Sequence, residues 1–256
     1  MRLYIIRHGE TDWNRRRLLQ GRSDIPLNEN GLKLAEVTGE ALQDVPFDLC
    51  IAGPLIRTRQ TALCVLKHNK AFLANRKNAG AVQLNDFLPL TGPEDLTGDG
   101  FPLLTDERII EANFGKLEGL GCGPENMEVP VENFRDFFKN PALVKMPEGA
   151  ETVEDVKRRT AAFLSALEQM PAICDKTILI TSHGFAIRAM LNPFYDDPQD
   201  FWQGRAPYNC AVNILETGAD GRLRLAVRDR IYYDEKLAAT YTENNIKEEG
   251  KKEKEC

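Results

Sequence analysis

Short apolar runs alternate with amphipathic stretches along most of this chain. Leu3–Ile6 (LYII) is a continuous apolar run, the pattern of a strand buried on both faces of a parallel sheet. Phe47–Ala52 (FDLCIA) predicts a second buried strand, broken by Gly53-Pro54, and Ile178–Ile180 within TILITSHGFAIR predicts a third. Tyr208–Glu216 and Arg222–Arg228 predict two further strands. Gly218–Gly221 (GADG) turns between them, so they form a closing hairpin at a sheet edge.

Helical spacing fills the gaps. Asn28 is an N-cap candidate, and Leu32, Leu34, Ala35, Val37, Ala41 and Leu42 give one apolar face up to Asp44. Leu55–Leu66 predicts a second helix. Thr152 to about Met170 predicts a third, burying Val153, Val156, Ala161, Phe163, Leu164 and Leu167. Its capping box is imperfect, with Asp155 where Glu or Gln is usual. A fourth runs from the His183-Gly184 step to about Asn192. Val131–Lys139 is a short helical piece whose Phe134, Phe137 and Phe138 at i, i+3 and i+4 read as core.

Two stretches resist this reading. Lys67–Thr105 holds Asn69, Asn75, Asn78 and Gly80, a short strand candidate at Val82–Leu84, and then a segment rich in proline, glycine and acid. It predicts a long loop or small insertion, with His68 at the surface. Residues 121–147 form a second insertion. Residues 242–256 are nearly all Lys, Glu, Asn and Gly, a disordered charged tail. The expectation is a single domain over residues 1–241.

Composition narrows the function classes. At 256 residues the chain is long enough for one large domain, and 42% hydrophobic content is ordinary for a soluble protein. No run approaches the ~18 apolar residues of a membrane helix, and the apolar start is far too short for a signal peptide. A cytoplasmic protein acting away from membranes is expected. The net charge of −6 argues against a nucleic-acid partner but allows an anionic substrate in an arginine-lined cleft. The cysteines are scattered without Cys-x-x-Cys spacing and only 3 histidines exist, which argues against a zinc site and for reduced thiols.

The candidate chemistry gathers where predicted strands end. Arg7, His8, Gly9, Glu10 and Thr11 follow the first strand directly, and ligands bind at the carboxyl ends of strands in open α/β sheets. His183-Gly184 repeats that arrangement, and adjacent parallel strands deliver both histidines to one crevice. Arg57 lies in the first turn after the second strand, where the helix start also favours an anion. The basic run Arg15, Arg16, Arg17 with Gln20, Gly21 and Arg22 is either solvated or a phosphate-facing rim, with Asn14 and Gly21 the better site candidates. Glu111 sits between Ile109-Ile110 and Phe114. Desolvation there would raise its pKa and suit it to proton transfer; an exposed loop glutamate is the ordinary alternative.

Together these motifs resemble the histidine phosphatase superfamily, the phosphoglycerate mutase-like fold. Arg7-His8-Gly9-Glu10-Thr11 resembles its signature, and the likeness continues through Trp13-Asn14, Gln20-Gly21, Asp24, Pro26 and Leu27. PLIRTRQTA (Pro54–Ala62) resembles the second arginine segment, EANFGKLEG the segment of the proton donor, PEGAET the Pro-x-Gly-Glu-Ser loop interrupted by Ala150, and SHG the second histidine. The matches run in order from Leu3 to about Asn209. The resemblance implies a three-layer α/β sandwich around a mostly parallel sheet and a phosphohistidine enzyme needing no metal or other cofactor. In it His8 is the nucleophile, Arg7, Arg57 and a protonated His183 clamp the phosphoryl group, Asn14 and Gly21 add substrate contacts, and Glu111 is the general acid. The expected partner is a small phosphorylated metabolite.

Three functions remain: a phosphomonoester phosphatase, a 2,3-bisphosphoglycerate-dependent mutase, and an inactive binding or scaffold member. The mutases tend to carry Glu-Arg-His-Tyr-Gly where this chain has Glu111, Ala112, Asn113, Phe114 and Gly115, so it resembles the phosphatase branch more. Both histidines, both arginines and the candidate acid are present, which disfavours the inactive reading.

Overall fold

The computed structural model describes residues 1–75, 82–96, 100–132 and 134–237. Asn78, Gly80 and the charged tail lie outside these. Seven strands form one sheet: β1 (Arg2–Arg7), β2 (Leu49–Ala52), β3 (Leu88–Pro89), β4 (Leu103–Thr105), β5 (Thr177–Ser182), β6 (Val212–Thr217) and β7 (Leu223–Arg230). Their order is β3-β4-β2-β5-β1-β6-β7. The first five positions pair in parallel, while β6 is antiparallel to both β1 and β7. The sheet is mostly parallel, closed at one edge by the hairpin.

The helices are α1 (Asp12–Arg15), α2 (Glu29–Ala41), α3 (Ile56–Leu66), α4 (Lys70–Asn75), α5 (Val153–Glu168) and α6 (Gly184–Leu191). Alternate residues of each strand divide the core in two. Leu3, Ile5, Ile178 and Ile180 pack against Phe163 and Leu167 of α5 and Ile187 and Met190 of α6. Tyr4, Ile6, Cys50 and Leu179 face the other way, against Ala62 and Val65 of α3 and Phe72 of α4. That makes the three layers. Asn28 caps α2 by accepting from Gly31 N at 2.8 Å, an interaction worth about 1 kcal/mol. Thr152 and Asp155 complete a capping box on α5 despite the shorter acid, because aspartate still reaches the Thr152 N–H at 3.0 Å.

The described residues of 67–105 are not all loop. They supply α4 and two strands of the sheet, with Leu103 in parallel register against Cys50 and Leu88 against Leu104. Strands of two and three residues leave no alternation to read, and Pro89 and Pro102 hide them further. The strand expected at Val82–Leu84 is absent; Leu84–Asp86 forms a 3-10 turn. His68 is half-buried rather than at the surface. The Phe134–Phe138 piece is a 3-10 helix.

Candidate active site

Arg7 and Ser182 are register partners at the ends of β1 and β5, so the two His-Gly turns leave the sheet side by side. The ring centroids of His8 and His183 lie 5.3 Å apart, and both rings are buried. His8 Nδ1 is 2.7 Å from the Gly9 carbonyl, which can only accept. Nδ1 therefore carries the proton and Nε2 keeps its lone pair. Burial, then the Arg57 and Arg7 guanidiniums, push the His8 pKa well below the usual histidine value, so the ring is neutral. Asn209 Nδ2 donates to the His8 carbonyl at 3.0 Å and Gly9 N donates to Thr61 Oγ1 at 2.9 Å, which fixes the turn from both sides.

Neither ring nitrogen of His183 has a hydrogen-bond partner among the described residues. The resemblance implies that this ring is protonated with the help of a bound phosphoryl dianion. Here burial, with Arg57 the next cause, holds its pKa well below the usual value, because a third cation beside two guanidiniums is disfavoured.

Arg7 Nη1 donates to the Pro207 carbonyl, and Arg7 Nε has no partner among the described residues. The guanidinium packs on the start of α6, where a Cβ on Gly184 would sit 3.3 Å from Arg7 Nε. Glycine permits that approach. Arg57 is fully buried; Nη1 donates to Ser23 O at 2.8 Å and Nη2 to Gly21 O at 2.6 Å. Burial pushes its pKa down to about 10 against the pull of Glu111, so it stays charged at neutral pH.

Glu111 belongs to the segment that follows β4. Ser182 Oγ donates to Ile109 O at 2.8 Å and Arg159 Nη1 to Ile110 O at 2.6 Å, pinning the backbone just before it. Its carboxylate meets the first turn of α6. Oε1 accepts from Ala112 N at 2.9 Å and Ala186 N at 3.0 Å, while Oε2 accepts only from Phe185 N at 3.2 Å. Burial raises its pKa although those N–H groups and Arg57 pull the other way.

Arg7, Asn14, Gln20 and Glu111 form the polar side of a cleft of about 510 Å3, counted to its open mouth. Arg7, Asn14 and Glu111 stand on the cleft wall, while His8, His183 and Arg57, whose charges and rings interact with one another and with Arg7, lie buried and are not among the residues lining it. Gly21 does not line the cleft. Its carbonyl holds Arg57, and a Cβ there would fall 2.2 Å from Glu118 Oε1, so its role is to shape the loop behind the arginine. None of Arg15, Arg16, Arg17 and Arg22 is among the residues lining the cleft. Arg15 pairs with Asp12 at 2.9 Å, Arg16 is exposed, and Arg22 pairs with Glu151 at 3.2 Å while its Nε donates to Glu111 O at 3.5 Å.

Two polar residues escaped the sequence reading as site members. Gln20 Oε1 accepts from Thr11 Oγ1 and Asn14 Nδ2, which leaves Gln20 Nε2 buried and without a partner among the described residues. Its place beside Gly21 in the family-like segment was the available signal. Asn209 ties His8 O to Asn14 Oδ1, and its neighbours YNCAV read only as the start of a strand.

The family model of the histidine phosphatase superfamily (branch 1) matches residues 3–78 and 95–229. This chain belongs to that superfamily. Among its superfamily relatives, the 2,3-bisphosphoglycerate-dependent phosphoglycerate mutase of Methanococcus vannielii is 28% identical over 192 residues, 74% of this chain and 79% of that one. A Bacillus subtilis (strain 168) relative named "uncharacterized phosphatase PhoE" is 28% identical over 210 residues, covering 82% and 86%. The solved structure of Bacillus stearothermophilus YhfR superimposes with a TM-score of 0.68 at 27% identity, covering 90% of this chain and 97% of that one. The mycobacterial glucosyl-3-phosphoglycerate phosphatase Rv2419c shares the fold, with a TM-score of 0.64 at 22% identity over 89% and 98% of the two chains. Superfamily members thus include both phosphatases and mutases. No helix among the described residues is long and apolar enough to cross a membrane.

Proposed function

We propose that the chain is a phosphomonoester hydrolase working through a phosphohistidine on His8. The observation that carries this is the tautomer lock: Nδ1–H donates to Gly9 O, so a neutral Nε2 is left beside buried Arg57 and half-buried Arg7. The Nε2 lone pair attacks phosphorus. The ester P–O bond breaks, its electrons pass to the leaving oxygen, and that oxygen takes the proton of the Glu111 carboxyl. Water then attacks the phosphoryl group while Glu111 takes its proton. The P–N bond breaks, its electrons return to Nε2, and orthophosphate leaves.

Each neighbour has a part in that sequence. Arg7 and Arg57 bear the charge on the equatorial oxygens. His183 lies neutral beside them and takes a proton as the phosphoryl dianion arrives, since a dianion reverses the local preference against a third cation. Asn14 and Gln20 donate to the substrate from the cleft wall. The raised pKa of Glu111 keeps its proton available nearer neutral pH, and Oε2, held by one long bond, is the oxygen that moves it. Cys50, Cys64, Cys174 and Cys210 are free thiols, which supports a reducing compartment such as the cytoplasm.

The mutase reading is supported by relatives that carry mutase names, the Methanococcus vannielii enzyme and the probable phosphoglycerate mutase GpmB of Yersinia pestis among them. The hydrolase is favoured by Ala112-Asn113 beside Glu111, where the mutases tend to carry Arg-His. Incubating the purified chain with a panel of phosphorylated metabolites, with and without 2,3-bisphosphoglycerate, tests the choice. Orthophosphate release is expected. Conversion of 3-phosphoglycerate to its 2-isomer without release would overturn the reading.

A further inference from the structure

Beyond the polar residues, the wall of the cleft changes character. Phe114, Phe137, Phe138, Phe185 and Trp202 line it, together with Leu18. The rings brace one another: Phe137 stacks on Phe185 at 5.7 Å, and Trp202 meets Phe137 at 5.8 Å and Phe185 at 5.6 Å. The indole N–H of Trp202 is already spent on the Phe137 carbonyl at 2.7 Å. The loop carrying Trp202 is anchored in turn by buried Arg188, which donates to Arg205 O at 2.9 Å and pairs with Asp229 at 2.7 Å. This wall is therefore built before a ligand arrives. Phe138 and Leu18 are only half-buried, so they keep apolar surface turned to the opening.

Resting on the hydrolase reading above, we propose that the preferred substrates are phosphomonoesters whose leaving alcohol carries a flat, uncharged apolar ring, seated against the apolar lining of Phe138, Leu18 and the aromatic cluster. A ring there gains stacking contact and leaves water. A glycerate carboxylate in the same place loses its hydration against phenylalanine and tryptophan edges and faces the Glu111 carboxyl. The one lining cation among the described residues, Arg7, belongs to the phosphoryl end.

The test compares benzyl phosphate, 2-naphthylmethyl phosphate, glycerol 3-phosphate and 3-phosphoglycerate on the full chain. All four leave as primary alcohols, so chemical reactivity is matched and the ratio of kcat/KM reports the cleft. We expect 2-naphthylmethyl phosphate to exceed 3-phosphoglycerate by about 100-fold and glycerol 3-phosphate by about tenfold or more. Phe138→Lys should shrink the first ratio by about tenfold, and Leu18→Gln should shrink it severalfold. A folding defect lowers all rates together and leaves the ratios intact. Wild-type ratios near one, ratios favouring the glycerate, or unchanged ratios in both variants overturn the proposal. Calorimetric binding of 2-naphthylmethylphosphonate against 3,4-dihydroxybutylphosphonate reads the same preference without turnover. Tighter binding of the naphthyl analogue by about tenfold supports it even if none of the four esters is hydrolysed, an outcome that would sink the hydrolase reading alone. Equal or weaker binding overturns it.

Discussion

At the end of β1, His8 donates its Nδ1 proton to the carbonyl of the next residue; at the end of β5, His183 has no partner for either nitrogen among the described residues. Both rings follow a buried parallel strand, both precede glycine, and burial pushes both pKa values down. What separates them is the backbone beyond. After His8 the chain turns through Gly9 and offers that carbonyl to the ring. After His183 it enters α6 at once, and Glu111 takes the first free N–H groups. One carbonyl fixes a tautomer and leaves Nε2 with a free lone pair, as the proposed nucleophile needs. Without it, the other ring answers to the charge beside it. Identical dipeptides acquire different chemistry from a single hydrogen bond.

Removing either histidine should expose that asymmetry. His8→Ala is expected to abolish turnover, a loss beyond about 10,000-fold, and to leave no acid-labile phosphoenzyme on a denaturing gel. Wild-type activity in this variant removes His8 as the nucleophile. His183→Ala should cost less, about 100- to 1,000-fold in kcat, while phosphoenzyme still forms slowly in rapid-quench trapping. Loss of the phosphoenzyme in both variants would make the two rings equivalent. Glu111→Gln sharpens the contrast through the group that sits on α6. Alkyl esters should slow by about 100-fold or more, and p-nitrophenyl phosphate far less, because its leaving group needs no proton. Equal losses on both esters would end the general-acid role.

The smallest effect is on stability. Both rings are held neutral in the folded protein, whereas an unfolded histidine gains its proton below about pH 6.5. The unfolded state therefore binds more protons in acid, and stability is lost as pH falls from 7 toward the depressed folded values. The loss is at most about 1.4 kcal/mol per pH unit per histidine. Glu111 is shifted upward and acts oppositely, its contribution fading as pH rises through its folded value. Urea titrations at pH 7.5 and 5.5 should show a shallower pH dependence for the His8→Ala/His183→Ala double variant than for wild type. Equal slopes would mean the rings are not held neutral.

The legible parts of the fold were those where one residue type repeats. β1 and β5 are buried on both faces and so read as unbroken apolar runs. β3 and β4 are too short to carry a period, and their partners lie far away in sequence, so only long-range pairing makes them strands. The site divides along the same line. Arg7, His8 and His183 stand next to strand ends and could be seen locally. Gly21 carried a visible signal but a different job, since its carbonyl faces Arg57 and its Cα is closed in by Glu118. The phenylalanines of 134–138 read as core, and Phe134 and Phe137 are buried there; nothing in their spacing told that the outer face of the same cluster borders a cleft. Asn209 acts only because β1 happens to deliver the His8 carbonyl beside it.

The two margins of the sheet also govern how copies of the molecule meet in a crowded solution. A bare strand margin is a template for a neighbour's strand and the starting point of ordered aggregates. One margin here is the two residues of β3, half of them proline, too short to seed a ladder. The other is eight-residue β7, long enough to do so, but its exposed positions include Arg224, Arg228 and Arg230. Two such margins brought together stack like charges, and the approach is repelled before backbone groups can pair. The arginines that take no part in catalysis thus protect the molecule's solubility.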